Sequence, residues 1–292
     1  MAEQTLTPNV TEHELKEVRT MIERRSGVHF DESRERFFAP RVREYMLRRR
    51  LSHGMELLRA LNTSNAEYDS LLEELLTQET RFFRYPELYA AFERKVLPEQ
   101  HMKKFWETPR SLRIWSAGCA TGEEPYSIAI SLCESLAYAE AWNINVLATD
   151  ISRQALDIAE RGRYGRRALE NVPPRQLEMY FVQDGDEWRV RPKLRNLVNF
   201  ATVNLAQPMY LGRFDVIFCM NVLIYFTDER RAAVVQRFYD SLEPGGYLFL
   251  GHAESVAGLP TKFNTVMYGE SRLLQKPTHS GVPSAAAGEG QR

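Results

Sequence analysis

The chain has 292 residues, and its Lys+Arg count of 38 nearly balances its Asp+Glu count of 39. No whole-molecule attraction to nucleic acid or to an anionic membrane is expected from that, and the length allows one large or two modest domains with real cores. Cys119, Cys133 and Cys219 sit among apolar or small residues without CxxC spacing. That argues against a disulfide frame or a zinc site and for a reducing compartment. No stretch approaches the ~20 apolar residues of a membrane span. The N-terminus also lacks the basic-then-apolar pattern of a signal peptide, so a cytoplasmic location is expected.

In chain order, Thr11-Glu-His-Glu14 is a capping box leading into Leu15, Val18, Met21 and Ile22, one face of a helix that should stop near Gly27. Pro40 is expected at the first turn of an arginine-loaded helix running to Leu51. Ser64-Asn-Ala-Glu67 is a second capping box, before Leu71, Leu72, Leu75 and Leu76. No strand pattern interrupts these segments, so residues 10–75 are expected to form a small helical domain and 76–110 to link it to an α/β domain. Arg34, Arg36, Arg41, Arg43, Arg48, Arg49 and Arg50 give the helical domain a local basic bias. A solvated helix face explains such a run; an RNA-binding face lacks interleaved aromatics to support it.

From Leu112 the pattern changes to alternating strands and helices, which implies a mostly parallel sheet over 111–275. Leu112–Ala117 is an apolar strand entering a turn, Gly118-Cys-Ala-Thr-Gly122, and then a helix expected to open at Pro125. That arrangement brings backbone N–H groups near a ligand. The glycines do not have the GxGxxG spacing of a pyrophosphate site, and Glu123 and Glu124 would repel phosphate. A ligand with a positive pole suits the turn, S-adenosylmethionine among them, although such a turn can also be only a tight connection. Val146–Asp150 is a second strand ending in an acid, where a ribose can be bridged; Asp150 could equally be a helix-entry residue before the N-cap Ser152.

Asp184-Gly185 is a hairpin signal within a region, about 178–200, expected to form a small antiparallel β-subdomain. Phe214–Met220 reads as a buried strand, succeeded by Asn221–Phe226, a helix from about Thr227, and a Leu242-Glu-Pro-Gly-Gly246 stop before a strand at Tyr247–Leu250. His13, His29, His53, His101, His252 and His279 are scattered, without metal-ligand spacing, and no metal is expected. From Lys276 the composition is that of a disordered tail.

Six motifs in order resemble the CheR-type chemotaxis-receptor glutamate O-methyltransferases: Thr77–Arg84, Gly122–Ser127, Ala148–Asp150, Gly162–Tyr164, Val203–Leu205 and Asn221–Phe226. The resemblance runs from about Thr11 to Gln275. It implies a helical N-terminal domain before a Rossmann-like methyltransferase domain, S-adenosylmethionine as methyl donor, and S-adenosylhomocysteine as product. It implies a basic N-terminal helix docking on the acidic coiled coil of a chemoreceptor cytoplasmic domain, by a monomer that binds neither nucleic acid nor membrane.

Carried over by motif, the cofactor contacts are Gln78, Thr80, Arg84, Glu123 or Glu124, Asp150 for the ribose, Asn204 and Leu205 for the adenine, and Asn221 and Val222 near the methionine moiety. Gln78 stands where some relatives have Asn. Arg84 and Tyr225 are the catalytic candidates; Arg84 could instead clamp the cofactor carboxylate, and Tyr225 could be a packed aromatic beside Phe226. Relatives that tether to a receptor pentapeptide carry a longer, glycine-richer loop than Gln183-Asp184-Gly185-Asp186, so pentapeptide-independent methylation is expected. The alternatives are an inactive cofactor-binding adaptor and a carboxyl methyltransferase of a non-chemotaxis array.

Overall fold

The computed structural model describes residues 8–76, 78–136 and 138–278, excluding the side chains of 32–35. Thr77, the side chain of Arg34, His279 and the rest of the tail from 279 lie outside the described residues.

Four helices come first: α1 (Glu12–Ser26), α2 (Glu32–Arg48), α3 (Gly54–Thr63) and α4 (Asn65–Leu75). Thr11 Oγ1 accepts the Glu14 N–H at 3.2 Å and the Glu14 carboxylate accepts the Thr11 N–H at 2.8 Å, so the first capping box is formed. α1 ends at Gly27, and Ser64 caps α4 by accepting the Glu67 N–H. Val18, Ile22, Val42, Leu57, Leu61 and Leu71 meet in one core shared by all four helices. The expectation for Pro40 is corrected: it lies in the interior of α2, not in a first turn. Pro40 and Arg36, the residue whose carbonyl it cannot bond, are both exposed, and water can serve that carbonyl.

The stretch 76–110 is more than a connection. It holds α5 (Pro86–Ala91), a π-helical turn Phe92–Val96, and α6 (Leu97–Lys104). Leu88, Phe92 and Leu97 are buried in the core against the sheet, where Phe92 meets Phe218 edge-on at 5.2 Å.

The sheet and its helices come after it: β1 (Ser111–Ala117), α7 (Glu123–Ser135), β2 (Asn143–Asp150), α8 (Arg153–Arg161), β3 (Arg163–Gly165), α9 (Pro174–Tyr180), β4 (Phe181–Asp184), β5 (Glu187–Val190), α10 (Pro192–Arg195), β6 (Val198–Thr202), β7 (Phe214–Cys219), α11 (Asp228–Ser241), β8 (Leu242–Leu250), β9 (Asn264–Tyr268) and β10 (Ser271–Gln275). Seven strands are ordered β6-β2-β1-β7-β8-β10-β9. The first five are parallel, and β10 pairs antiparallel with both β8 and β9. From β1 the chain moves to one side through β2 and β6, then returns to the other side at β7. That switch opens a crevice beyond the C-terminal ends of β1 and β7, the usual ligand position in such sheets.

Several boundaries differ from the sequence reading. α7 opens at Glu123 with Gly122 as N-cap, and Pro125 falls within its first turn, where its missing N–H has no helical partner to lose. Pro244-Gly-Gly246 is incorporated in β8, with a register irregularity against β7 between Phe214 and Val216. The small antiparallel sheet, ordered β3-β5-β4, takes one strand from 163–165, outside the expected 178–200, while β6 belongs to the large sheet. Lys276, expected to begin the tail, is tied down: its ammonium donates to the carbonyls of Tyr239 and Leu242 at 2.8 and 2.7 Å.

Candidate active site

A cavity of about 310 Å³ occupies the crevice. The glycine turn after β1, the ends of β2 and β7 and the 203–205 segment after β6 form its base; Ser26, Val28 and the 78–84 segment close it from above. The helical region is held there by backbone acceptors. Asn204 Nδ2 donates to the Arg25 carbonyl at 3.0 Å, Arg230 to that of Glu23 at 2.9 Å, and the His29 N–H to that of Tyr225 at 2.7 Å.

The glycine turn is fixed from below. The Gly118 and Cys119 N–H groups both donate to the Thr149 carbonyl, at 2.7 and 2.9 Å, and Tyr164 O–H donates to the Thr121 carbonyl at 2.8 Å. Gly118 has φ +85°, and a Cβ there would lie 2.3 Å from Val222 Cγ2. Only glycine lets the turn and the β7 loop approach so closely.

The two neighbouring glutamates separate. Glu124 lines the cavity and accepts the Ser116 hydroxyl at 2.6 Å. Glu123 does not line it; its carboxylate accepts the Thr121 hydroxyl at 2.7 Å. One residue along a helix turns a side chain by about 100°, so only one of the pair can face inward. Asp150 also lines the cavity, each oxygen held by a backbone donor: Ala120 N–H at 2.8 Å and Ser152 N–H at 2.9 Å.

Burial pushes the Glu124 carboxyl up to about 8, opposed by the Ser116 hydrogen bond and raised further by Glu254. Burial also raises Asp150, against the pull of its two backbone donors. Such buried acids gain by meeting a cation.

Arg84 lines the same cavity, with one guanidinium N–H on the Glu79 carbonyl at 2.7 Å. It is flanked by Phe83 at φ +49° and Tyr85 at φ +68°, both left-handed. Two such residues so close together persist only where packing over-determines them. Here the Ser127 hydroxyl accepts the Phe83 N–H at 3.0 Å, and Tyr85 O–H donates to Asn221 Oδ1 at 3.0 Å. Gln78 and Thr80 line the cavity too; Gln78 Nε2 donates to the Ser152 hydroxyl at 2.8 Å and to Glu73 at 3.1 Å.

From the opposite side come Asn221, Val222 and Tyr225, all three lining the cavity. Asn204 and Leu205 complete the set. Both polar ends of the Asn204 side chain serve the fold, Oδ1 accepting the Ala206 N–H at 2.9 Å. Its side-chain amide is therefore already committed.

Ten of the eleven expected site residues thus meet in one cavity; Glu123 alone does not. Sequence reasoning missed Glu254, whose carboxylate accepts four backbone N–H bonds beneath the β7 loop, and Glu73, which bonds Ser152 and Gln78 from α4. The signal for Glu254 was an acid just past the end of β8, on the side of the sheet where the other strands carry the site. Tyr85, beside Arg84, carried no signal beyond its place in the chain.

The donor set fits S-adenosylmethionine: inward-facing Glu124 and Asp150, a glycine cradle that a Cβ would fill, and no GxGxxG turn for phosphate. Among the described residues no group of His, Cys, Asp and Glu could hold a metal ion, and no helix is long and apolar enough to cross a membrane. Fold and site together define a Rossmann-like methyltransferase dependent on S-adenosylmethionine. The chain belongs to the CheR methyltransferase family, whose S-adenosylmethionine-binding domain matches residues 78–271.

It is 32% identical over 256 residues to chemotaxis protein methyltransferase 1 of Pseudomonas aeruginosa, covering 85% of this chain and 92% of that one. To chemotaxis protein methyltransferase 1 of Vibrio cholerae it is 33% identical over 264 residues, covering 88% and 94%. The solved N-methyltransferase NodS of Bradyrhizobium japonicum, with S-adenosylhomocysteine, overlaps 76% of this chain and 97% of its own at 14% identity and a TM-score of 0.38.

Proposed function

We propose that this chain methylates glutamate side chains on chemoreceptor cytoplasmic domains, as a cytoplasmic monomer. The observation that carries this reading is that Arg84 and Tyr225 open on the same cavity as Glu124 and Asp150. On this reading one cavity would hold the cofactor through Glu124 and Asp150 and orient the substrate carboxylate through Arg84. The names of the relatives support the chemotactic setting.

When bound, S-adenosylmethionine supplies an electrophilic methyl group on a cationic sulfur. Asp150 accepts the ribose hydroxyls with the lone pairs its two backbone donors leave free. Glu124, rather than Glu123, meets the ammonium; the 204–205 segment offers backbone groups to the adenine, and Gln78 and Thr80 cover the cofactor from above. A substrate glutamate, with an ordinary pKa of about 4.3, arrives already ionised and needs no general base. Arg84 strips water from that carboxylate and aims it, and Tyr225 shapes the transfer point beside Asn221 and Val222. Bound there, S-adenosylmethionine would supply the methyl group, and the part of Arg84 and Tyr225 would be to hold the incoming carboxylate oxygen in line with it.

The deciding experiment is incubation with labelled S-adenosylmethionine and a panel of receptor cytoplasmic domains. Base-labile label on glutamate is expected; label on nucleic acid, or none despite cofactor binding, rejects the reading. The β4–β5 connection is only Gly185-Asp186, so methylation should not depend on a receptor C-terminal pentapeptide. Micromolar binding of the isolated pentapeptide would overturn that part.

A further inference from the structure

Glu254 stands in the turn after β8 and does not line the cavity. Its carboxylate accepts the N–H groups of Asn221 and Gly251 at Oε2, both at 2.7 Å, and those of Val222 and Leu223 at Oε1, at 2.8 and 2.6 Å. We propose that Glu254 is the positioning residue of this active site, holding the loop after β7 in the shape that presents Asn221, Val222 and Tyr225 to the reacting groups. The inference rests on the roles given to those three residues above.

Three successive backbone N–H groups converge on one acceptor only when the chain curls around it, as in anion-binding nests. Only an ionised carboxylate offers about four lone-pair sites to such a ring; a protonated acid or an amide would set a donor against an N–H. The curl also accounts for φ +63° at Asn221, a left-handed conformation that asparagine tolerates better than other non-glycine residues.

The loop so held touches both other walls of the site. Val222 occupies the space a Cβ at Gly118 would need, and Asn221 Oδ1 accepts the hydroxyl of Tyr85, next to Arg84. A shift of this loop would therefore disturb the glycine turn and the Arg84 segment together. Asp150 keeps its Ser152 N–H donor, and Asn204 keeps its bonds to the Arg25 carbonyl and the Ala206 N–H, none of which involves this loop. Glu254 thus acts on the chemistry through backbone that it fixes, without touching the reacting groups.

The test uses the full chain with Glu254→Gln and Glu254→Ala. Turnover at saturating S-adenosylmethionine should fall about 100-fold, the scale of a ~1 Å misplacement, with KM for the donor and affinity for S-adenosylhomocysteine changing far less. Hydrogen–deuterium exchange at Asn221–Leu223 should accelerate in the same variants, with the rest of the sheet unchanged. Glu254→Asp, which keeps the anion on a shorter stem, should restore part of the turnover.

Wild-type turnover in Glu254→Gln overturns the proposal. So does a loss of turnover matched by an equal loss of cofactor affinity, or exchange at Asn221–Leu223 equal to wild type. If the alanine variant does not fold, the glutamine variant carries the test. If the wild-type protein methylates no glutamate, the function reading fails, and the exchange measurement still decides whether Glu254 holds the loop.

Discussion

The carboxylates around the cavity and the arginines of α2 are opposite charges in opposite settings. Glu124 is buried, accepts the Ser116 hydroxyl and is pushed up to about 8 by lost hydration. Arg36, Arg43, Arg48, Arg49 and Arg50 are exposed, Arg41 is half-buried, and several are already matched within the fold. Arg48 pairs with Glu74 at 2.6 Å, Arg49 donates to Glu67 at 3.1 Å, and Arg41 donates to the Leu75 carbonyl at 3.1 Å. A buried charge has few substitutes and its removal is local and large. A surface charge is screened by salt and shared among neighbours. The cavity should therefore respond to single substitutions, and the basic face to changes in its sum.

Arg84 belongs to the cavity and should give the largest effect. Arg84→Ala is expected to lower single-turnover methylation at saturating S-adenosylmethionine by about 10²–10³-fold, the scale for losing a preorganised charge partner. Arg84→Lys should rescue only part, since a point charge on a flexible stem lacks the planar fork that holds a carboxylate. Near-wild-type rates for Arg84→Ala would move Arg84 from catalysis to cofactor binding.

Asp150 comes next. Asp150→Ala removes charge-assisted contacts to the ribose and should cost roughly 1.5–3 kcal/mol of affinity for S-adenosylhomocysteine, measured by calorimetry. Unaltered affinity would reject the ribose assignment and weaken the contrast drawn between cavity and surface.

The pH behaviour of Glu124 sharpens the same contrast. Its folded pKa of about 8 lies above its ordinary value of 4.5. Between those two values the folded state holds a proton that the unfolded state has lost, so this group's contribution to stability falls as pH rises through that window. Glu124→Gln should flatten that part of the stability profile of the ligand-free protein. An ammonium placed beside Glu124 would ionise it, so binding of S-adenosylhomocysteine near pH 7 should release protons. Calorimetry in buffers of different ionisation enthalpy would show it, and equal release from Glu124→Gln would assign the proton elsewhere.

The strand–turn–helix units were legible because each has a local signature: a β-branched run, a glycine turn, a capping serine or threonine. Thr11, Ser64, Ser152 and Thr227 all cap their helices, but the expected Ser64 box is only half formed, because the Glu67 carboxylate turns to Tyr45 and Arg49 instead. What was not legible depends on long-range partners. Glu254 meets residues 31 to 33 positions away, and Glu73 meets Ser152 79 positions away. No periodicity encodes such pairs. Glu123 and Glu124 are indistinguishable as letters and were separated only by the rotation of α7. Pro40 misled because proline favours a first turn yet can be accommodated on an exposed helix face.

The basic face should give the smallest effect, and only as a sum. Arg43 and Arg50 are exposed and have no ion-pair partner among the described residues, whereas Arg48 and Arg49 face Glu74 and Glu67 on α4. Reversing Arg48 or Arg49 sets like charges against those glutamates, so any loss of receptor binding would be mixed with a loss of fold stability. Reversing Arg43 and Arg50 to Glu avoids that conflict. The double variant should melt like wild type and bind S-adenosylhomocysteine normally, yet bind an acidic receptor coiled coil several-fold more weakly at low salt. The difference should vanish near ~1 M salt, where the screening length is about 3 Å. Unchanged receptor affinity at low salt would mean that the basic face of α2 is only solvated.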